Sequence, residues 1–420
     1  MASFLELSIE RAVAGGRMLA RHEGQVVFVH GALPGERVRA RIERRQKQLL
    51  FADTVEVLEA SPDRRTPVCD LACGGSSYAH IQYDRQRQLK GEIIADAFAR
   101  IAKQPLAGAV SVAASPEVGY RMRARVHVER ERWGFYREGT HVLCDAAATQ
   151  QLRPDTCAAI DAFFAAQPAL VQRLAAITVS ENVSASARTL QLEIKEGGGR
   201  LKAIDELAVA GIDGVSAHEG PTLWGAAWIE DSSRAIWPDG APFEREMIWR
   251  RRPASFFQGN RFLLGALVNE VLRAAGDASR VIDLYAGGGL FSVALAATGR
   301  DVVAVEMDGS SARDLADNAQ PLGERLVALT SPVEPIVRQR PPFAPGVVVM
   351  DPPRAGASPE ALAGVTNWSA PKIIYVSCDP PTLARDCGKL IASGYRLTSL
   401  TGFDLFPNTP HVEAVAVLER

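Results

Sequence analysis

Four short, mostly apolar runs downstream of Arg252 constrain this chain more than any other feature. They are residues 281–284 (VIDL), 302–305 (VVAV), 347–350 (VVVM) and 373–376 (IIYV). Each is too short for a helix, rich in β-branched residues, and without the alternation of a strand that has one wet face. Each therefore reads as a strand buried on both sides. Helical stretches with polar faces lie between them, and a helix over 261–275 precedes the first. Buried strand and helix in alternation specify an α/β fold with a doubly wound parallel sheet. Such sheets bind ligands beyond the carboxyl ends of their strands, so the residues that follow each run are where chemistry is expected.

Those residues carry reactive groups. The fourth run leads into Ser377-Cys378-Asp379-Pro380, which places a thiol at the mouth of the sheet. A lone Cys is more often core packing, but this one has company. The third run ends in Asp351-Pro352-Pro353-Arg354, the second in Glu306, and the first opens a glycine turn, Asp283-Leu284-Tyr285-Ala286-Gly287-Gly288-Gly289. Two prolines can simply end a strand, yet a carboxylate facing the ligand crevice has a use there. The glycines let backbone approach a nucleotide-like ligand, and Glu306 is placed to accept ribose hydroxyls. No glycine follows at the third position of the dinucleotide fingerprint, which favours S-adenosylmethionine over a dinucleotide. Near the terminus, Phe406-Pro407-Asn408-Thr409-Pro410-His411-Val412-Glu413 reads as a shaped loop bearing a carboxylate rather than a plain surface turn.

Cys378 and Glu413 together match one demanding reaction. Carbon 5 of uracil is a poor nucleophile; a thiolate added at carbon 6 makes the ring an enolate able to attack a methyl sulfonium. A carboxylate must then remove the carbon-5 proton so that the thiol can leave.

Upstream, residues 4–60 alternate apolar and polar around Gly15-Gly16, Gly24 and Pro34-Gly35, the pattern of a small OB-like antiparallel barrel. Residues 61–67 read as a linker. Residues 82–102 form a helical pattern with Leu89, Ile93, Ala97 and Ile101 on one face. From 118 to 230 the chain reads mostly as strands, with a helix near 157–172 and no catalytic constellation. The expected division is 1–60 barrel, 61–235 mainly β central domain and 236–420 catalytic domain, within the two or three domains that 420 residues allow. A formal charge of -2 argues against indiscriminate coating of nucleic acid. Contact with RNA must come from local patches, and two qualify: 37–47, and Arg250-Arg251-Arg252 beside Trp249, Phe256 and Phe257. The plainer reading of either run is a solvated face, which for charge runs in general is the better bet. Six scattered cysteines show no disulfide framework and fit a reducing cytoplasm. No signal peptide or membrane span is apparent.

The strings FFQGN from Phe256, DLYAGGGLF from Asp283, DPPRAG from Asp351, SCDPPTLARD from Ser377 and FPNTPHVE from Phe406 together resemble the RNA 5-methyluridine methyltransferase family. The segment 28–36 resembles the TRAM RNA-binding barrel that precedes this catalytic fold in many members. The resemblance implies a Rossmann-like methyltransferase domain using S-adenosylmethionine, with Cys378 as nucleophile and Glu413 as base. It puts Gln258, Tyr285, Gly287, Glu306 and Asp351 around the methyl donor, and implies that the helix over 83–102 packs on the catalytic sheet. Ala286, Leu290 and Asp379 depart from the residues common in the family, and none of them removes a group the chemistry needs.

Cluster-bearing members hold iron and sulfur with four cysteines. Here Cys69 and Cys73 match, Ser76 stands in the third place and Thr149 in the fourth, with Cys144 five residues early. Two matching thiolates argue against a cluster, so no metal is expected; Cys69, Cys73 and Cys144 are the only combination left for a residual site. The implied substrate is a uridine in structured RNA, ribosomal favoured over transfer RNA, acted on by a cytoplasmic monomer with no membrane partner. A methyltransferase acting on a base nitrogen, which needs no thiol, and a non-catalytic RNA-binding protein are the alternatives. A nicotinamide oxidoreductase ranks last.

Overall fold

The computed structural model describes residues 4–197, 199–204, 207, 209–218 and 220–420. Strands β1 (Phe4–Ala12), β2 (Met18–His22), β3 (Gln25–His30), β4 (Arg37–Gln46) and β5 (Leu49–Glu59) close a barrel in the order β1-β2-β3-β5-β4. Alternation sets its inside: in β4, Val38 and Ala40 are buried while Arg37, Arg39 and Arg41 face solvent. A second sheet contains β7 (Arg123–Glu129), β8 (Arg132–Tyr136), β9 (Leu143–Cys144), β10 (Leu174–Glu181), β11 (Arg188–Ile194), β12 (Gly214–Ala217) and β13 (Thr222–Gly225). Its order is β13-β12-β11-β10-β7-β8-β9, and the helix Pro154–Ala166 lays Ile160 and Phe163 on it. The hairpin β14 (Ile229–Ser232) and β15 (Ile248–Arg251) leads into the last sheet.

That sheet holds β16 (Arg280–Leu284), β17 (Asp301–Glu306), β18 (Leu326–Thr330), β19 (Val347–Met350), β20 (Lys372–Ser377), β21 (Arg396–Phe403) and β22 (Glu413–Glu419). The order is β18-β17-β16-β19-β20-β22-β21, with β6 (Val112–Ala113) added at the edge beside β21. Strands β16 to β20 are parallel, and β22 runs antiparallel to β20. The four apolar runs are buried here on both faces, as Val281, Val302, Val347 and Ile373 illustrate; each such side chain contributes about 1.5–3 kcal/mol. Helices Leu264–Ala275 and Leu290–Ala297 cover one face, Pro359–Trp368 and Pro380–Ala392 the other. The helix Tyr83–Ala97 joins that second face through Ile94 and Ala97.

Several local expectations shift. The helix read over 82–102 is regular only to Ala97, then widens over Phe98–Ala102 and stops at Lys103 in the left-handed region (φ 56°). The helix read from 261 starts at Leu264, because the Asn260 side chain takes the N–H groups of Phe262 and Leu263 and turns the chain first. The stretch near 157–172 is broken by Pro168 into Pro154–Ala166 and one further turn.

The larger correction concerns 250–252, read as an RNA-facing patch or a solvated run. Trp249 is fully buried, and Arg251 is buried against Asp231 (2.7 Å), Ser180 Oγ (3.0 Å) and the Glu181 carbonyl, over the ring of Phe257. Arg252 is paired with Asp314 and Asp317. Only Arg250, paired with Glu230, and Phe256 face solvent. The run is a joint between sheets, set by carboxylates distant in sequence. No described helix is long and apolar enough to cross a membrane.

Candidate active site

The parallel strands end at one edge, and every residue singled out for catalysis or cofactor binding lies there. After β16 the chain turns through Tyr285 (φ 64°) and Gly287 (φ 57°) to Gly289 (φ 88°), which starts the helix Leu290–Ala297. Left-handed backbone at Gly289 disfavours any side chain, and a Cβ there would lie 2.8 Å from Leu315 Cδ1, so Leu315 would have to shift. Positive φ at Tyr285 is uncommon for a bulky residue, and such backbone strain gathers at functional sites.

Glu306 ties this turn to the next strand. Its Oε2 accepts Gly287 N–H at 2.8 Å, and Oε1 accepts the N–H groups of Met307 (2.8 Å) and Asp308 (2.7 Å). Three acceptor sites of about four are taken, which leaves capacity for a hydroxyl. Asp308 in turn caps the helix Gly309–Ala319. Tyr285, Met307, Val333 and Pro353 line a cleft beside the turn. Asp351 follows β19, and Gln258 Nε2 donates to its Oδ2 at 3.4 Å. Asp379 caps the helix Pro380–Ala392, which fixes the backbone just after Cys378.

The ladder between β20 and β22 brings thiol and carboxylate together. Ser377 pairs with Ala414, so one further step sets Cys378 opposite Glu413, on the same face. Burial pushes the Cys378 thiol up to about 11, helped by the charges of Glu413 and Asp351 and opposed by Arg354. Burial and the Asp351 charge hold the Glu413 carboxyl well above the usual range. Asp351 is raised by burial and by Glu306, against the Gln258 hydrogen bond. Glu413 Oε1 is buried without a partner.

One residue of this edge was named only as the start of a motif. Asp283 is fully buried in β16; Ser292 donates to its Oδ2, Oδ1 has no partner, and burial pushes its carboxyl to about 7. Its signal was an acid inside an otherwise apolar run. The glycine turn, a strand-end acid with capacity to spare and this orphaned oxygen fit the S-adenosylmethionine that the sequence implies. Gly287, Glu306, Tyr285, Asp351 and Gln258 are the residues that would surround it.

The cysteines behave differently from expectation. Cys73 and Cys144 form a disulfide, because β9 pairs with β8 and Cys73 bridges to Arg137 just beyond it. The residual three-thiol site thus fails, two of its thiols being spent on one another. Ser76 and Thr149 donate to local carbonyls instead. Among the described residues no three His, Cys, Asp or Glu side chains are grouped to hold a metal ion. The residues present do not fit an iron-sulfur cluster.

On the barrel, Arg37 and Arg39 are tied to Glu6, Glu59 and Glu56. Arg44 lies over Phe51 at 4.1 Å, and Arg41, Arg45 and Lys47 are exposed.

The architecture is shared with the tRNA (uracil-54, C5)-methyltransferase of Pyrococcus abyssi, solved with S-adenosyl-L-homocysteine. The likeness spans 99% of this chain and 100% of that one, with a TM-score of 0.74 at 22% identity. The fold is that of a Rossmann-like methyltransferase carrying an N-terminal barrel. The family model for tRNA (Uracil-5-)-methyltransferase matches residues 340–420, and that for the TRAM domain residues 3–55. The 23S rRNA (uracil(1939)-C(5))-methyltransferase RlmD of Pseudomonas entomophila is 33% identical, covering 98% of this chain and 93% of that protein. An uncharacterized RNA methyltransferase of Bdellovibrio bacteriovorus is 30% identical, over 100% and 95%. The chain belongs to the S-adenosylmethionine-dependent RNA uracil-C5-methyltransferase family.

Proposed function

We propose that this enzyme methylates carbon 5 of a uridine in 23S ribosomal RNA, with Cys378 as nucleophile and Glu413 as base. The observation that carries the reading is the register that sets an unpartnered, buried Glu413 opposite Cys378 at the ligand-binding edge. The Cys378 thiolate adds to carbon 6 of a uridine turned out of its stack, and the electrons of the 5,6 double bond move toward the ring carbonyl. S-adenosylmethionine supplies the methyl group as an electrophile. Once carbon 5 carries the methyl, Glu413 takes the carbon-5 proton, that electron pair restores the double bond, and the carbon-sulfur bond breaks to return the thiolate. Gln258 and Asp351 orient the ring and the donor at the strand end. Because the free thiol is held mostly protonated at neutral pH, adduct formation speeds up as pH rises.

Ribosomal rather than transfer RNA is favoured by the 33% identity to the 23S rRNA methyltransferase RlmD along nearly the whole chain, against 22% to the tRNA enzyme. Arg41, Arg44, Arg45 and Lys47 are the barrel cations available for phosphate. The enzyme acts as a monomer in the cytoplasm, where its RNA is, and draws every reacting group from one chain. The test is trapping with RNA carrying 5-fluorouridine in the presence of S-adenosylmethionine. Fluorine cannot be removed as a proton, so the wild-type protein should stay joined to the RNA and Cys378→Ala should not. Turnover by Cys378→Ala would instead favour methylation of a base nitrogen.

A further inference from the structure

The carboxylate of Glu413 is aimed by its backbone. Oε1 receives no hydrogen bond, so its position depends on the chain either side. Downstream, β22 is locked between β20 and β21. Upstream lies the loop 404–412, which meets the sheet at its first residue, where Asp404 N–H donates to the Ala113 carbonyl of β6 at 3.0 Å. Resting on the role of Glu413 just proposed, we infer that Gln86 and Asn408 form a clasp that positions the base for the proton-removal step.

The clasp is reciprocal. Gln86 Oε1 accepts Asn408 N–H at 2.8 Å, while Gln86 Nε2 donates to Asn408 Oδ1 at 2.9 Å and to the Ile81 carbonyl at 3.0 Å. Arg65, gripped by Glu117, donates to the same Oδ1 at 2.8 Å. Asn408 sits in the left-handed region (φ 64°), which Asn accepts more readily than most residues with a side chain. Three successive carbonyls are also taken from outside the sheet: Phe406 by Lys90 (3.1 Å), Pro407 by Tyr120 (3.5 Å) and Asn408 by Tyr78 N–H (2.8 Å). From the barrel side, Gly16 lies so near that a Cβ there would be 2.8 Å from Pro410 Cγ.

Packing a helix on a sheet needs only apolar side chains, and burying an amide and an ammonium one turn apart costs desolvation. Gln86 and Lys90 are both fully buried on the helix Tyr83–Ala97. What they provide is a fixed direction for the loop, and hence for the residue that follows it. They are positioning residues, since neither touches a reacting atom.

The experiment uses RNA with ordinary uridine and follows two rates in a single turnover: appearance of the covalent complex on a denaturing gel, and release of methylated RNA. In Gln86→Leu and Asn408→Gly the complex should form at near the wild-type rate and break down at least about tenfold more slowly, so that it accumulates as in Glu413→Gln. KM for RNA should hold while kcat falls. Asn408→Gly keeps the left-handed backbone free of strain, so it tests the clasp even if Gln86→Leu fails to fold. Formation and release falling in proportion, or neither changing, would overturn the inference. If Glu413→Gln accumulates complex and the clasp variants do not, the clasp alone fails. If neither wild type nor Glu413→Gln forms any complex, the role of Glu413 fails first and the clasp with it.

Discussion

Glu181 and Glu413 are carboxylates buried to nearly the same degree, 1% and 3% exposed, with opposite surroundings. Glu181 ends β10 and is met by Arg188, Arg261 and the Thr156 hydroxyl; its carbonyl takes Arg251 as well. Glu413 has an oxygen with no partner and Asp351 for a neighbour. The first arrangement satisfies a buried charge and so joins three parts of the chain. The second leaves a proton acceptor unsatisfied, which costs stability and creates a reagent. Burial alone does not mark a functional acid; burial without a partner at the ligand edge does.

The comparison can be broken most directly at the thiol. Cys378→Ala should lose both turnover and the adduct with 5-fluorouridine RNA, and retained methylation would remove the reason for Glu413 to be unpartnered. Next, Glu413→Gln should lower kcat by about 10²–10⁴-fold and leave RNA bound through denaturation; the same loss without a trapped complex would deny it the base role. Glu181→Ala should leave activity chemistry alone but destabilise the fold by about 3–5 kcal/mol, read by denaturant titration, because Arg261 loses its carboxylate and Arg188 keeps only Asp155. The Cys73–Cys144 bond, which spans 71 residues, offers a covalent counterpart: Cys73→Ser should cost about 2–4 kcal/mol under non-reducing conditions and nothing in excess reductant.

The smallest effect has the opposite sign. Folding raises the Glu413 pKa, so the folded protein holds a proton that the unfolded one has released. Stability contributed by that protonated form is present at low pH and lost as pH rises from about 4 toward the raised value. Glu413→Gln should therefore stabilise the protein at pH 8, by about 1.4 kcal/mol for every tenfold that folding strengthens its hold on the proton. The gain should vanish toward pH 4. A gain independent of pH would point to packing instead.

Much of the catalytic half was legible because its signals are local. Four buried runs specify the parallel strands, and the residues after them fall at one edge by the geometry of the sheet. The pairing of Cys378 with Glu413 was available through the chemistry the two residues share and through family resemblance, but not its geometry, which depends on an antiparallel register that no spacing reveals. Long-range partners hid the rest. Arg250-Arg251-Arg252 looks like a surface patch until Asp231 and Asp314 arrive from elsewhere to take Arg251 and Arg252 inward. Cys73 and Cys144 look unrelated until β8 and β9 pair. Gln86 reads as an ordinary helix residue, and only Asn408, 322 positions away, shows its use.

That separation, with the placing of β6 beside β21, bears on how the chain assembles. The barrel and the central sheet pair strands near in sequence and can close while synthesis continues. The helix Tyr83–Ala97 and β6 must wait, the buried amide and ammonium of that helix exposed to water, for the loop 404–412 and for β21 and β22, made much later. Such long loops close slowly and leave intermediates with unpaired edges. The catalytic centre can form only once β21, the loop 404–412 and β22 have been made, and a chain without them would leave the helix Tyr83–Ala97 and β6 as an open seam.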